Sequence, residues 1–275
     1  MNKLAGVVIL YNPLDEVYEN ICSYYDYIDH LFIIDNSENP NIYLISKLKL
    51  LSKVEYIFHG ENKGISFSLN EALYLSKNKF AWLMTMDQDS SFKKDMICDY
   101  IMCLDKIPDK VYGVTSIINN NVCSSKALDN LMIVERCITS GNIINIKIAL
   151  DVGGFDENLF IDEVDIDFCY RCKKSGYILM QYQKNIMNHV IGNPIKGRFL
   201  GFQFSSMNHN YIRDYYIVRN RLYISKKYKE LRKRYLVYIF KDIFKILLIG
   251  DDKFRKLKYI IKGIKDYKLN NMGKL

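Results

Sequence analysis

The feature that most constrains this chain is the alternation, through its first half, of short β-rich runs with amphipathic helical stretches. Strands are expected at Leu4 to Leu10, His30 to Asp35, Val54 to His59, Phe80 to Met86 and Val111 to Ile117. Helical patterns lie between them, near Leu14 to Tyr27, Ile42 to Leu51, Ile65 to Ser76 and Lys93 to Leu104. This rhythm predicts an α/β fold, a mostly parallel sheet with helices on both faces. In such sheets ligands sit at the carboxyl ends of the strands. Function is therefore sought at Tyr11-Asn12, Asp35-Asn36-Ser37, Gly60 to Gly64 and Asp87-Gln88-Asp89.

A chain of 275 residues is long enough to bury roughly 70 to 75% of its unfolded surface, so it needs no disulfide or structural metal to fold. Apolar residues at 49% and charged residues at 25% argue against disorder, collagen-like repeats and coiled coil. Seven cysteines form an odd set without regular spacing, which points to a reducing cytosol. Lys241, Asp242 and Lys245 interrupt the best candidate for a membrane span, Tyr235 to Ile249, which falls short of the ~18 apolar residues required. Met1 to Leu10 has no small-residue cleavage site and reads as a buried first strand.

Charge is unevenly spread. The formal net charge is +8, yet Arg221 to Leu275 alone holds 17 Lys and Arg against 5 Asp and Glu. The chain thus divides into a mildly acidic body, residues 1–220, and a basic extension, 221–275. Within that extension Leu231, Tyr235, Tyr238, Ile239, Ile243, Phe244, Ile246 and Leu247 form a wide apolar stripe among lysines. A helix lying on an anionic membrane surface has this pattern. A core-facing helix with a solvated basic back has it too, and the sequence leaves the two readings level.

Two constellations can carry chemistry. Asp87-Gln88-Asp89-Ser90 directly follows the apolar run Phe80 to Met86. Carboxylates one residue apart in an extended segment point the same way and can share a hard cation. Mg²⁺ or Mn²⁺ held by so few protein groups completes its shell with water and substrate phosphates, which implies a diphosphate ligand. The second is Gly153-Gly154-Phe155-Asp156, running on through Phe160-Ile161-Asp162-Glu163-Val164-Asp165-Ile166-Asp167 to Arg171. Carboxylates crowded among apolar side chains raise one another's pKa and suit a general base. Cys169 and Cys172 have the C-x-x-C spacing, but with no second pair they read as packing residues. His30 and His59 sit in strand patterns and read as structural, and His209 leans the same way.

Together these motifs carry a resemblance. Tyr11-Asn12, Asp35-Asn36-Ser37, Asn62-Lys63-Gly64 with Asn70, Asp87-Gln88-Asp89-Ser90, Gly153-Gly154-Phe155-Asp156 and Phe160-Ile161-Asp162 with Val164-Asp165 resemble an inverting family 2 glycosyltransferase of the GT-A, Rossmann-like fold. The forms Asp-Gln-Asp-Ser and Phe-Ile-Asp-x-Val-Asp most resemble bacterial rhamnosyltransferases, as do His189-Val190-Ile191-Gly192 and Arg213 to Asn220. The match runs in order over about residues 4 to 221.

The resemblance implies that Tyr11, Asn12 and Asp35 contact the nucleoside and that Asn62 with Gly64 lines its far side. It implies that Asp87 and Asp89 face the ribose, diphosphate and metal, with Asp89 as a metal ligand and His189 close by. Asp165 falls where the family keeps its catalytic base, Val164 replaces the family's Glu, and Asp162 is a rival base. Ser68 stands where many members carry an Arg, so donor-phosphate contacts are expected from Arg219 or Arg213.

The function so implied is metal-dependent transfer of a sugar, L-rhamnose from dTDP-rhamnose in the first instance with UDP-sugars as the other option. The acceptor is a lipid-linked or growing glycan, met on the cytoplasmic face of the membrane, and nucleic acid is not an expected partner. A sugar-phosphate nucleotidyltransferase is the enzymatic alternative, though Tyr11 to Glu16 lacks the glycine-rich basic loop of that class. A basic-tailed adaptor is the non-enzymatic one, and it leaves both carboxylate constellations without a purpose.

Overall fold

In a computed structural model of the chain, residues 3–118, 130–189, 195–199 and 202–275 are described. Two compact units form, one of residues 1–157 and 164–190, the other of 158–163 and 191–275. The expected division at residue 220 falls inside a long helix, Tyr211–Lys227, which packs on Ile239, Ile246, Ile260 and Phe160 of the second unit.

The first unit is built around β1 (Leu4–Leu10), whose Leu4, Ala5, Val7, Val8 and Leu10 are buried on both faces of the sheet. After it come α1 (Val17–Tyr25), β2 (His30–Asp35), α2 (Ile42–Leu48), β3 (Val54–Phe58), α3 (Ile65–Ser76) and β4 (Trp82–Asp87). β2 and β4 flank β1 in parallel, and β3 pairs in parallel outside β2. This is the expected parallel sheet. Asn41 caps α2 by accepting the Leu44 N–H.

Beyond β4 the chain continues with β5 (Ser90–Phe92), α4 (Lys94–Met102), β6 (Val111–Ile118), β7 (Leu131–Val134) and β8 (Asn142–Asn145). Then follow α5 (Ile146–Asp151), α6 (Val164–Lys174) and β9 (Ile178–His189). The sheet order is β3-β2-β1-β4-β8-β6-β9-β5, with β7 beside β9. The side beyond β4 contains antiparallel pairs, β8 with both β4 and β6 among them.

Register positions the site. Leu10 lies opposite Asp35, and Ile9 opposite Asp87. Tyr11, Asp35 and Asp87 therefore leave the sheet at one rim, the carboxyl ends of the parallel strands.

The second unit holds the hairpin β10 (Ile195–Phe199) with β11 (Phe202–Ser206), then α7 (Tyr211–Lys227), α8 (Arg232–Ile249) and α9 (Lys253–Lys268). Val218, Ile239, Ile246 and Ile260 form its core. A Cβ on Gly263 would sit 2.7 Å from the Tyr215 carbonyl oxygen, so α7 and α9 meet at near backbone contact there. Ile239 and Ile246 of the predicted stripe belong to this core and Tyr235 is buried against Glu163, whereas Tyr238, Phe244 and Leu247 are exposed together with Leu236, Val237 and Phe240. The tail is thus both a packed element and an outward apolar surface. Among the described residues no helix is long and apolar enough to cross a membrane.

Candidate active site

The rim at the ends of the parallel strands is cross-linked by side chains. The Gln88 amide accepts from the Tyr11 N–H at 2.9 Å and donates to the Tyr11 carbonyl at 3.2 Å. Asn12, in the left-handed region at φ 47°, donates its N–H to Ser37 Oγ at 2.7 Å. Asp35 is buried, accepting from the Ser37 N–H at 2.9 Å and the Tyr56 hydroxyl at 2.8 Å. Asn36 donates to Ser68 Oγ at 3.0 Å and to the Gly64 carbonyl at 3.4 Å, and Asn62 Oδ1 accepts the Gly64 N–H at 3.0 Å. Gly64 has φ 88°, a backbone conformation that glycine adopts without strain. The structure thus brings Tyr11, Asn12, Asp35, Asn62 and Gly64 into one connected edge.

Asp87 and Asp89 extend this edge. The Asp87 N–H donates to Ser140 Oγ at 3.0 Å, and Ser140 donates to Ser90 Oγ at 2.7 Å. Strand register sets the His189 backbone opposite Ser90. The side chain of His189, with Val190 to Gly192, lies outside the described residues.

The segment that holds Asp87 also reaches the second constellation. Asp165 lines a void of about 10 Å³ with Thr85, Cys137, Ile138, Thr139 and Asn142. Its Oδ1 accepts the Ile166 N–H at 2.8 Å in the first turn of α6. Asp167 is 0% exposed and bound to Arg171 at 2.8 Å. Arg171 also donates to the carbonyls of Val152 and Gly154 at 2.7 and 2.6 Å, which ties the Gly153-Gly154 turn to α6. Asn70 closes the turn from the other side, exchanging hydrogen bonds with the Phe155 backbone at 2.7 and 2.9 Å.

The rival base, Asp162, belongs to the second unit. Arg213 donates to both its oxygens, at 3.0 to 3.3 Å. Glu163 is bound by Arg221 at 3.2 Å and by the Tyr235 hydroxyl at 2.7 Å, with its carboxyl raised chiefly by burial. Both residues have positive φ, 62° and 66°. The Asn220 amide pins this strained turn by donating to the carbonyls of Ile161 and Asp162 at 2.6 and 3.2 Å.

The glycosyl transferase family 2 profile matches residues 7–165, more than half of the chain. The chain belongs to glycosyl transferase family 2. A dTDP-rhamnosyl transferase, RfbF, of Shigella flexneri is 27% identical over 96% of this chain and 93% of its own. In structure the chain is similar to GT-A enzymes. A crystal structure of GalNAc-T7 with UDP, GalNAc and Mn²⁺ superimposes with a TM-score of 0.66 at 13% identity, covering 98% of this chain. This chain spans 56% of that one. TarS residues 1–349 of S. aureus, in complex with UDP-GlcNAc, gives a TM-score of 0.56 at 12% identity over 96% of this chain and 80% of its own. The fold and family expected from the motifs are borne out, and the nucleotidyltransferase and adaptor alternatives give way to them.

Arg219 is 0% exposed, and its guanidinium donates to Tyr215 Oη at 3.1 Å and to the carbonyls of Gly273 and Asn271 at 2.7 and 3.4 Å. Its hydrogen-bonding capacity is taken up inside the second unit, where it fastens the C-terminal residues. Arg213, the other option, is engaged with Asp162.

Sequence reasoning missed Ser140 and Cys137, because a serine and a lone cysteine carry no motif of their own, and it gave Gln88 a place in the Asp87-Gln88-Asp89 run but no role. Cys137 Sγ lies 3.8 Å from Cys169 Sγ. The hydrogen bond between the two thiols lowers the Cys169 thiol and pushes the Cys137 thiol up. Cys169 and Cys172 are buried in α6, as packing residues.

Among the described residues no cluster of three or more His, Cys, Asp or Glu side chains is placed to cage a metal. Asp87 and Asp89 are hard oxygen donors at an open strand end, Asp89 exposed. That donor set fits Mg²⁺ or Mn²⁺ bound by one or two carboxylates and completed by substrate phosphates.

Proposed function

We propose that the chain transfers L-rhamnose from dTDP-rhamnose to a glycan acceptor in one inverting displacement, with the donor diphosphate at the Asp87-Gln88-Asp89 rim. The observation that carries this reading is the shared segment 139–142, which meets both ends of the chemistry: Ser140 holds the Asp87 N–H, and Thr139 and Asn142 line the void with Asp165. The dTDP-rhamnosyl relative supports the choice of donor.

In this reading Tyr11, Asn12, Asp35, Asn62 and Gly64 seat the nucleoside. Asp89 and Asp87 would hold a divalent ion, which would supply neutralising charge at the leaving diphosphate. Asp165 accepts the proton of the acceptor hydroxyl as that oxygen bonds to the anomeric carbon and the bond from carbon to phosphate oxygen breaks. General-base assistance of this kind is worth about 10² to 10⁴ in rate. Asp165 is preferred to Asp162 because Arg213 already occupies both oxygens of the latter.

The outward apolar residues of α8, flanked by exposed Lys233, Arg234 and Lys241, support peripheral attachment to an anionic bilayer, where lipid-linked acceptors reside. Nucleoside diphosphate release from dTDP-rhamnose, UDP-galactose and UDP-glucose, measured with a lipid-linked glycan acceptor, tests the reading. Turnover of dTDP-rhamnose above both UDP-sugars is expected, and preference for either UDP-sugar contradicts the donor assignment.

A further inference from the structure

Within the second unit, β11, α7, α8 and α9 line a cavity of about 370 Å³, in the ~300 to 1,000 Å³ range of small-molecule sites. Asp214 is the decisive group. It is 8% exposed, lines this cavity, and among the described residues its Oδ2 has no hydrogen-bond partner. A buried acceptor left in this state calls for a donor from outside the protein.

The remaining wall defines what that donor belongs to. Arg221 is bound to Glu163 and Asp242, and Lys256 to Asp251 at 2.6 Å and Asn208 at 2.6 Å. Arg221 and Lys256 are thus bound by the protein's own carboxylates, and Asp214 and Asp242 set two carboxylates on the same wall as Lys245, a poor match for a polyanion such as a nucleotide. Lys245, His209 and Ser205 add hydrogen-bonding groups, and Ile217, Ile246 and Ile260 add apolar carbon. A ligand with hydroxyls on its edge and C–H groups on its face matches both kinds of wall. Burial pushes the Asp214 carboxyl up to about 6, Asp242 and Asp251 act in the same direction, and Lys256 opposes them. At neutral pH Asp214 is therefore a desolvated carboxylate, a strong acceptor for a hydroxyl.

We propose that this cavity is a saccharide-binding site for a neutral sugar residue of the acceptor glycan, separate from the donor rim. It rests on the glycosyl-transfer reading and adds where the acceptor is recognised.

Saturation-transfer difference NMR on the full chain tests it, with methyl α-L-rhamnopyranoside and methyl N-acetyl-β-D-glucosaminide as probes in the presence of excess dTDP and Mg²⁺. Signal from at least one glycoside is expected with the donor site filled. In Asp214→Leu that glycoside binds roughly tenfold more weakly, the loss of one hydrogen bond to a charged group. The same substitution raises Tm, because it removes an unpartnered buried carboxylate, so weakened binding cannot come from unfolding. Ile217→Trp, which fills the cavity, also abolishes the signal. No signal from either probe, or equal signal in wild type and Asp214→Leu, overturns the proposal. The dTDP resonances in the same samples report separately on the donor reading: glycoside silence with dTDP bound defeats the acceptor cavity alone.

Discussion

Asp165 lies in the first turn of α6 with one oxygen on the Ile166 N–H and the side chain on a small void shared with Thr85. As the proposed base it acts in the transfer step and not in donor binding. Asp165→Asn is expected to lower kcat by about 10² to 10⁴ while dTDP affinity stays within about threefold; isothermal titration and initial rates separate the two. Asp162→Asn breaks a partly exposed pair with Arg213, a contact worth at most ~1 kcal/mol, and leaves most of the rate. Arg219→Met is expected to lower stability and loosen the C-terminal residues without weakening dTDP binding. Hydrogen exchange at Asn271 to Leu275 reads the first effect, and titration the second. Asp214 also makes a pH signature. Its folded-state carboxyl sits near 6 against the ordinary 3.8, so between those values the folded chain binds more protons than the unfolded one. Stability is therefore lost as pH rises from about 4 to 6, by at most ~3 kcal/mol. Denaturation of Asp214→Asn across that range is expected to lack the slope.

The elements that the sequence made legible are those whose apolar period is undisturbed. β1, β2 and α3 have the expected boundaries because their buried residues repeat without interruption between polar turns. The antiparallel strands β7 and β8 are four residues each, too short for a period to register. The turn at Asp162 and Glu163 was equally hidden, since two consecutive left-handed non-glycine residues arise from tertiary contacts with α7 and α8. Gly154 belongs to the legible set. Its φ is 66°, and a Cβ at this position would lie 2.5 Å from Asn70 Oδ1, which explains why glycine is needed where α3 meets the turn before α6. Gly154→Ala is expected to destabilise the first unit by about 1 to 3 kcal/mol, measured by urea denaturation. Little change would show that the turn relaxes freely.

At the scale of the whole chain, the basic extension is not a detachable tether. Val218 of α7 shares a core with Ile239, Ile246 and Ile260, so removing α8 and α9 strips that core. The outward residues can be tested without truncation. Phe240→Ser with Phe244→Ser is expected to reduce sedimentation with phosphatidylserine vesicles at least tenfold and to change stability by roughly 0.5 kcal/mol or less per site. Unchanged vesicle binding, or loss of self-association instead, would assign that surface to another partner. The proposed donor rim was legible as a set of strand ends, whereas its bracing by Gln88 and Ser140 depends on strand pairing across the sheet. The central claim is that this rim grips a nucleoside diphosphate through a divalent ion, and calorimetric titration with dTDP, with and without Mn²⁺, tests it most directly. Mn²⁺ is expected to tighten binding at least tenfold in the wild type, by more than ~1.4 kcal/mol, and to have no effect in Asp89→Ala. Equal affinities with and without Mn²⁺ in the wild type, or an undiminished Mn²⁺ effect in Asp89→Ala, would contradict it.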